Sequence, residues 1–594
     1  MCGFLGIAST DDIEEKNLLL ENKRIICRGP DETQQLESKS SDLNLNLIFN
    51  RLSILELSPS GSQPIVDSNN NYVMMFNGEI FNYIELKKYL SKYNIQFESK
   101  NSDSEVLFYG LIKEGSSFLD KLIGQFSIVF IDKRKSEIIL ARDRTGQKPL
   151  FYFCNNKSLY FGSNLISISN MSNAKEINKQ GLKEFLNLGV ITSPDTIYKN
   201  IFKVKPGEYV TFSYSDTFTK ESDIYWDPSN YLEEKDAYNN TDFDNLISDS
   251  IVKRLRSDVP VATFCSGGLD STLIIKKLNE LGIKAPTFSV INKNPKYDER
   301  KYIYKVIEKY KNQSTTREID SKVTFEQILH NIVNFDEPYM DASSQPSTFL
   351  SKAISENYKV AISGDGGDEI FYGYQRFQNE FKVKKIPSFL ANIIYRIYPA
   401  WLGTGNKILK HNKDYKVSYP SYFEDNKFMH LLGFNYKSEF SEKFLENTEN
   451  KVKNLMILEN KFYLSEMMNL KVDRTSMANS LEVRSPFIDH RLIEYLLSRR
   501  TDSLEYKKPK LYVKQYLSQD FDDNFLNRKK MGFVFDLENL IYENKEKITT
   551  LINESDLHQF IPKLNIKKLF IRKSRINSQR IYKLLILTHF IKNN

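Results

Sequence analysis

The chain has 594 residues, 40% hydrophobic and 27% charged, the balance of an ordinary globular protein with no sign of wholesale disorder. Its 83 basic side chains nearly cancel 76 acidic ones, so a net charge of +7 gives little support to a nucleic-acid role. Four cysteines without a CxxC pair, six histidines without ligand-like spacing and the lack of any ~18-residue apolar run exclude a disulfide framework, a structural zinc site and a membrane span. No basic n-region or long apolar core precedes Asp11 and Asp12, so no signal peptide is read. The expectation is a cytoplasmic protein with small-molecule partners and neither membrane nor nucleic acid. The most basic stretch, from Lys567-Lys568 to Arg580, reads as a solvated helix face.

In chain order, the opening run is Met1-Cys2-Gly3-Phe4-Leu5-Gly6-Ile7. With Met1 removed, Cys2 carries both a thiol and an α-amine, a nucleophile with its own base. Short apolar runs follow at Phe4–Ala8, Leu45–Phe49, Tyr72–Phe76, Phe126–Ile131, Ile138–Ala141 and Leu150–Phe153, punctuated by turn residues such as Asn77-Gly78. Helical stretches near Tyr83–Tyr93 and Ser104–Lys113 interrupt them, and the pattern predicts an α+β sandwich over 1–215. Residues 216–245 turn polar and acidic and read as a linker. Beyond it, over 246–594, buried strands at Val259–Cys265, Pro286–Ile291 and Lys359–Ile362 alternate with helices such as Thr272–Leu281, the grammar of a doubly wound α/β parallel sheet. The final third, roughly 420–594, is predicted to be helical.

Two loops carry chemistry. Ser266-Gly267-Gly268-Leu269-Asp270-Ser271 joins a strand to a helix, so its glycines admit an anion close to the backbone and the helix N-terminus faces it. It is not a Walker loop, because no Gly-Lys-Ser/Thr follows at the required spacing. Ser363-Gly364-Asp365-Gly366-Gly367-Asp368-Glu369 follows another apolar strand, and its carboxylates fall at the strand end, where open sheets bind ligands. Together the loops imply a site for ATP and Mg2+, with Asp270 and Asp368 as metal ligands.

These motifs, with Arg28-Gly29-Pro30-Asp31, Arg51-Leu52-Ser53-Ile54, Phe76-Asn77-Gly78-Glu79-Ile80, Ala141-Arg142-Asp143-Arg144, Val472-Asp473-Arg474 and Ser485-Pro486-Phe487-Ile488-Asp489, stand in one collinear order. In them the chain resembles the glutamine-dependent asparagine synthetases, class II amidotransferases that join an N-terminal-nucleophile hydrolase to an ATP-pyrophosphatase. The resemblance implies that Cys2 is the glutaminase nucleophile and that the Asn77 side chain and Gly78 N–H form its oxyanion hole. Arg51 would hold the glutamine carboxylate and Asp103, helped by Glu79, its ammonium. It further implies ATP contacts at Cys265, the Ser266 to Ser271 loop, Val290, Ser363 and Gly364, an acidic role at the adenylate for Asp365, and a catalytic lysine at Lys510, with Lys507 and Lys508 close by. Aspartate or another carboxylate is the acceptor, ammonia passes through an internal tunnel, and such enzymes are often homodimers.

Four departures stand out. Cys265, Cys27 and Ser485 replace a usual leucine, histidine and valine, and Val534-Phe535-Asp536 lacks the expected glycine and proline beside the acceptor region. An amidotransferase acting on a different carboxylate, in a polysaccharide or secondary-metabolite pathway, is therefore the alternative. A β-lactam synthetase would not need Cys2, Arg51, Asn77 and Asp103 together. A tRNA-modifying pyrophosphatase would need a nucleic-acid surface, and a scaffold would not need intact motifs in both halves.

Overall fold

A computed structural model describes residues 2–13, 18–293, 298–319, 323–446, 448–528 and 535–594. The departure noted at residue 534 and the neighbouring 529–533 lie outside the described residues.

Among the described residues the N-terminal half holds two six-stranded antiparallel sheets. The first runs Ile201–Lys203, Phe151–Cys154, Ser158–Gly162, Gly3–Ser9, Asn44–Arg51 and Glu32–Ser38; the second runs Phe218–Ile224, Glu208–Tyr214, Glu137–Arg142, Gly124–Asp132, Tyr72–Ile80 and Ile65–Val66. Alternation along each strand explains the layering. Phe4, Leu47 and Phe49 meet Val73, Val129 and Leu140 between the sheets. The opposite face of the second sheet, Met74, Phe76 and Ile128, packs on Leu86, Val106 and Leu107 of the Tyr83–Leu90 and Asp103–Glu114 helices. Leu5, Ile7 and Ile48 on the outer face of the first sheet pack into a helical layer with Leu165 and Ile168. Both faces of Gly3–Ser9 are thus covered, which is why all seven of its residues are buried. The predicted sandwich is present. The polar stretch 216–245 holds structure of its own: Phe218–Ile224 closes the second sheet, and the Asn240–Arg254 helix begins before residue 245.

The C-terminal half is built on a five-stranded sheet, all pairs parallel, in the order Ser314–Ile319, Thr287–Asn292, Val261–Phe264, Val360–Ile362, Glu482–Arg484. Strand order reverses between Val261–Phe264 and Val360–Ile362, so the two predicted loops leave neighbouring strands at the switch point where such sheets bind ligands. The helix after the first loop spans Leu269–Glu280 and not Thr272–Leu281, so Asp270 and Ser271 sit in its first turn, next to its N-terminal N–H groups.

The last third is mainly helical, as predicted, apart from the Glu482–Arg484 strand. Its final helix, Arg575–Asn593, runs beneath the first sheet's helical layer, where Lys583 Nζ donates to the Leu186 and Asn187 carbonyls. Arg580 is not part of a solvated face; it is 1% exposed and grips Asp425 through Nε and Nη2 at 2.7 and 2.8 Å. Asp425→Ala would leave that guanidinium buried and unpaired, at a cost of about 3–5 kcal/mol. The expected outcome is a markedly lower thermal unfolding transition, read by calorimetry.

Candidate active sites

Cys2 is buried at the head of the first strand, and its backbone nitrogen donates to Asn77 Oδ1 at 3.0 Å. Asn77 Nδ2 lies 3.4 Å from Ser127 Oγ, which fixes the orientation of its amide. Gly78 has a φ of +153°, and a Cβ there would collide with the Gln125 carbonyl, so only glycine lets the strand present its N–H at this point. Burial pushes the Cys2 thiol up, so forming a thiolate needs a base, and the nitrogen of the same residue is poised on Asn77. Asp103 accepts from the Ile80 N–H at 2.9 Å and is pushed up to about 6 by burial. Glu79 is held well above the usual carboxylate range by burial, against the opposing charge of Arg484. Arg51 directs its guanidinium at the Ser58 and Glu56 carbonyls and at Glu32 Oε2, 3.4 Å away. These contacts hold the loop 52–62 closed over the strand.

Three residues of this site were not singled out in the sequence. Arg28 Nε donates to the Cys2 carbonyl at 3.2 Å while its two terminal nitrogens each reach Asp473 at 2.9 Å. Despite burial, Arg28 and Arg474 hold Asp473 well below the usual carboxylate range. Arg484 is fully buried; it pairs with Glu79 at 3.1 Å and with Glu482 at 2.5 Å. The quoted motifs contained Arg28 and Asp473, yet nothing in one dimension pairs segments 445 positions apart.

The two phosphate-type loops are in contact. A Cβ on Gly367 would stand 2.7 Å from Asp270 Cγ, and one on Gly364 3.0 Å from Asp270 Cβ. Ser266 and Ser271 share a 3.0 Å hydrogen bond, and Ser266 Oγ accepts from Gly268 N–H. Gly267 takes a φ of +67°, and Arg528 Nη2 clasps its carbonyl at 2.7 Å. Lys510 Nζ lies 2.5 Å from Asp270 Oδ2 and 2.7 Å from Asp368 Oδ1. Lys508 instead is exposed and pairs with Glu505. Asp365 accepts from Ser363 Oγ at 2.8 Å, and the Ser485 hydroxyl donates to the Asp365 carbonyl, a bond that valine could not make. Burial and the charge of Asp368 push Glu369 up to about 8. Cys265 is buried, its carbonyl accepting from Ser289 Oγ at 2.6 Å. Val290 lies on the adjacent strand. Between the sites, a cavity of about 10 Å³ is lined by Gln125 and Lys148 from one half and by Ser363, Asp365 and Asp473 from the other.

Residues 1–226 match the glutamine amidotransferase domain family, and residues 242–590 match the asparagine synthase family. The chain belongs to the asparagine synthase family. It is an ATP-dependent ligase that takes nitrogen from glutamine. It is 29% identical to asparagine synthetase [glutamine-hydrolyzing] 1 of Bacillus subtilis over 99% of this chain and 96% of that one. It is 28% identical to asparagine synthetase [glutamine-hydrolyzing] 3 of the same organism over 90% of this chain and 87% of that one.

If Asp103 holds the glutamine ammonium, as the family resemblance implies, a proton on its carboxyl competes with that ammonium. With its carboxyl raised to about 6, kcat/KM for glutamine should fall as pH drops through that value, because the charged form needed for binding is lost below it. Asp103→Asn should abolish this limb and lower kcat/KM about 100-fold at pH 8, the worth of one charge-assisted pair. A glutaminase pH profile of both proteins checks this.

Proposed function

We propose that this chain makes asparagine from aspartate, glutamine and ATP, with residues 1–215 as glutaminase and 246–594 as synthetase. The Cys2 thiol attacks the glutamine amide carbon while the α-amine, freed by removal of Met1, takes the thiol proton and passes it to the departing ammonia. The oxyanion that forms is met by the Asn77 side chain and the Gly78 N–H, and water then releases glutamate from the thioester. Arg51 and Asp103, with Glu79, hold the two charged ends of glutamine.

In the other half, the aspartate side-chain carboxylate attacks the α-phosphorus of ATP, expelling pyrophosphate and leaving an acyl-adenylate. Ammonia displaces AMP, Asp365 receives the proton it sheds, and Lys510 neutralises charge on the phosphates. Asp270 and Asp368 would hold Mg2+: their two hard oxygen donors already stand together around one cation, the Lys510 ammonium, and Mg2+ characteristically takes one or two carboxylates together with phosphate oxygens. When bound it would neutralise phosphate charge. The observation that best supports a coupled reaction is Arg28, whose one guanidinium contacts both the Cys2 carbonyl and Asp473. Ammonia kept from water stays unprotonated along that seam.

The test is pyrophosphate release from ATP and glutamine, with and without aspartate. Aspartate-dependent pyrophosphate with matching asparagine is expected, and glutamate release with no aspartate dependence would assign a different acceptor. Cys2→Ala should lose glutamine use by at least about 1,000-fold and keep activity with ammonium, as nucleophile removal does elsewhere. Chelation of divalent cations, or Asp270→Asn, should stop pyrophosphate release and spare glutamine hydrolysis, both read in the same coupled assay.

A further inference from the structure

The helix Ser388–Ile397 buries only Ala391. Phe389, Leu390, Ile393, Ile394 and Ile397 are exposed at 64, 42, 56, 43 and 74%, and Trp401 follows at 59%. Their spacing, 389, 393, 397 beside 390, 394, places them on one face of the helix. Folded monomers rarely leave such a contiguous apolar patch to water without a use for it.

The two chain segments that carry this face are both basic. Residues 382–413 contain seven Lys or Arg and no Asp or Glu, a local excess equal to the net charge of the whole chain. A second segment, 557–594, contains nine Lys or Arg and again no acidic residue. The fold joins the two. Arg580 Nη1 donates to the Ala400 carbonyl at 2.9 Å, and Ile576 Cδ1 stands 3.3 Å from where a Gly403 Cβ would be. Ile571, 80% exposed, lies on this second segment next to exposed Arg572 and Lys573.

We propose that this face docks the enzyme on an anionic lipid bilayer, without spanning it. A helix with Phe, Ile and Trp on one side and a rim of Lys and Arg has the chemistry of an in-plane interfacial helix: the apolar face enters the acyl boundary while the long basic stems reach the headgroups. A second copy of the chain fits less well, because a symmetric contact would bring together two surfaces rich in lysine and arginine. Composition could not reveal this face, since +7 averaged over 594 residues hides a local excess of the same size.

The experiment uses the full chain and vesicles of equal parts phosphatidylglycerol and phosphatidylcholine, with pure phosphatidylcholine as control. Trp401 is one of two tryptophans, and Trp226 is buried, so a blue shift of emission on vesicle addition reports insertion of this face. Co-sedimentation with anionic vesicles that weakens with salt is expected, with about tenfold less on the neutral ones. The triple variant Phe389→Ser, Ile393→Ser, Ile397→Ser should partition at least about tenfold less. Lys384→Glu with Lys407→Glu and Arg572→Glu should do the same, and both should keep pyrophosphatase activity in solution. Absence of binding to anionic vesicles, or binding unchanged in both variants, would overturn the proposal. So would a dimer in sedimentation velocity that the apolar variant dissociates while vesicle binding is nil.

Discussion

Much of this molecule depends on one buried carboxylate. Asp473 draws Arg28 from the N-terminal half, Arg474 from its own helix and, at 3.9 Å, Lys148, all removed from solvent. A lone charge in that setting would be untenable, and the cluster persists because each member satisfies another. Arg28 is the hinge of the arrangement: geometry that suits a bidentate carboxylate leaves its Nε free to hold the Cys2 carbonyl. Through Arg28, Asp473 of the C-terminal half thereby helps to place Cys2.

Electrostatics divides the work between the two sites. In the glutaminase, burial raises Cys2, Glu79 and Asp103 together, so the pocket resists charging until a substrate ammonium or a base compensates. In the synthetase, carboxylates outnumber cations at the loop crossing, with Asp270 and Asp368 sharing Lys510.

What the sequence disclosed was local. Cys2, Asn77-Gly78 and the two glycine loops are contiguous motifs whose chemistry needs no neighbours to be recognised, and the apolar runs around them matched the strands. Pairings across the fold were silent. The Glu482–Arg484 strand is three residues long with a charge at each end, so neither length nor hydropathy marks it as buried, although all three residues are inaccessible. Arg528 contacts the nucleotide loop from 261 positions away. Lys510 differs from Lys507 and Lys508 in its burial and its two carboxylates, which only the fold displays. The exposed face of Ser388–Ile397 has helical periodicity, but periodicity alone does not say whether an apolar stripe is covered.

The strand Glu482–Arg484 has a wider consequence. It is the edge of the nucleotide-binding sheet, yet Arg484 supplies the counter-charge of Glu79 and Gln125 lies 3.4 Å from Glu482. The two catalytic units are therefore not interchangeable parts joined by a tether. A chain cut between them would strip Glu79 and Arg28 of their ion-pair partners in one fragment and leave Arg484 and Asp473 with one partner each in the other. A substitution on this short strand therefore bears on both units at once.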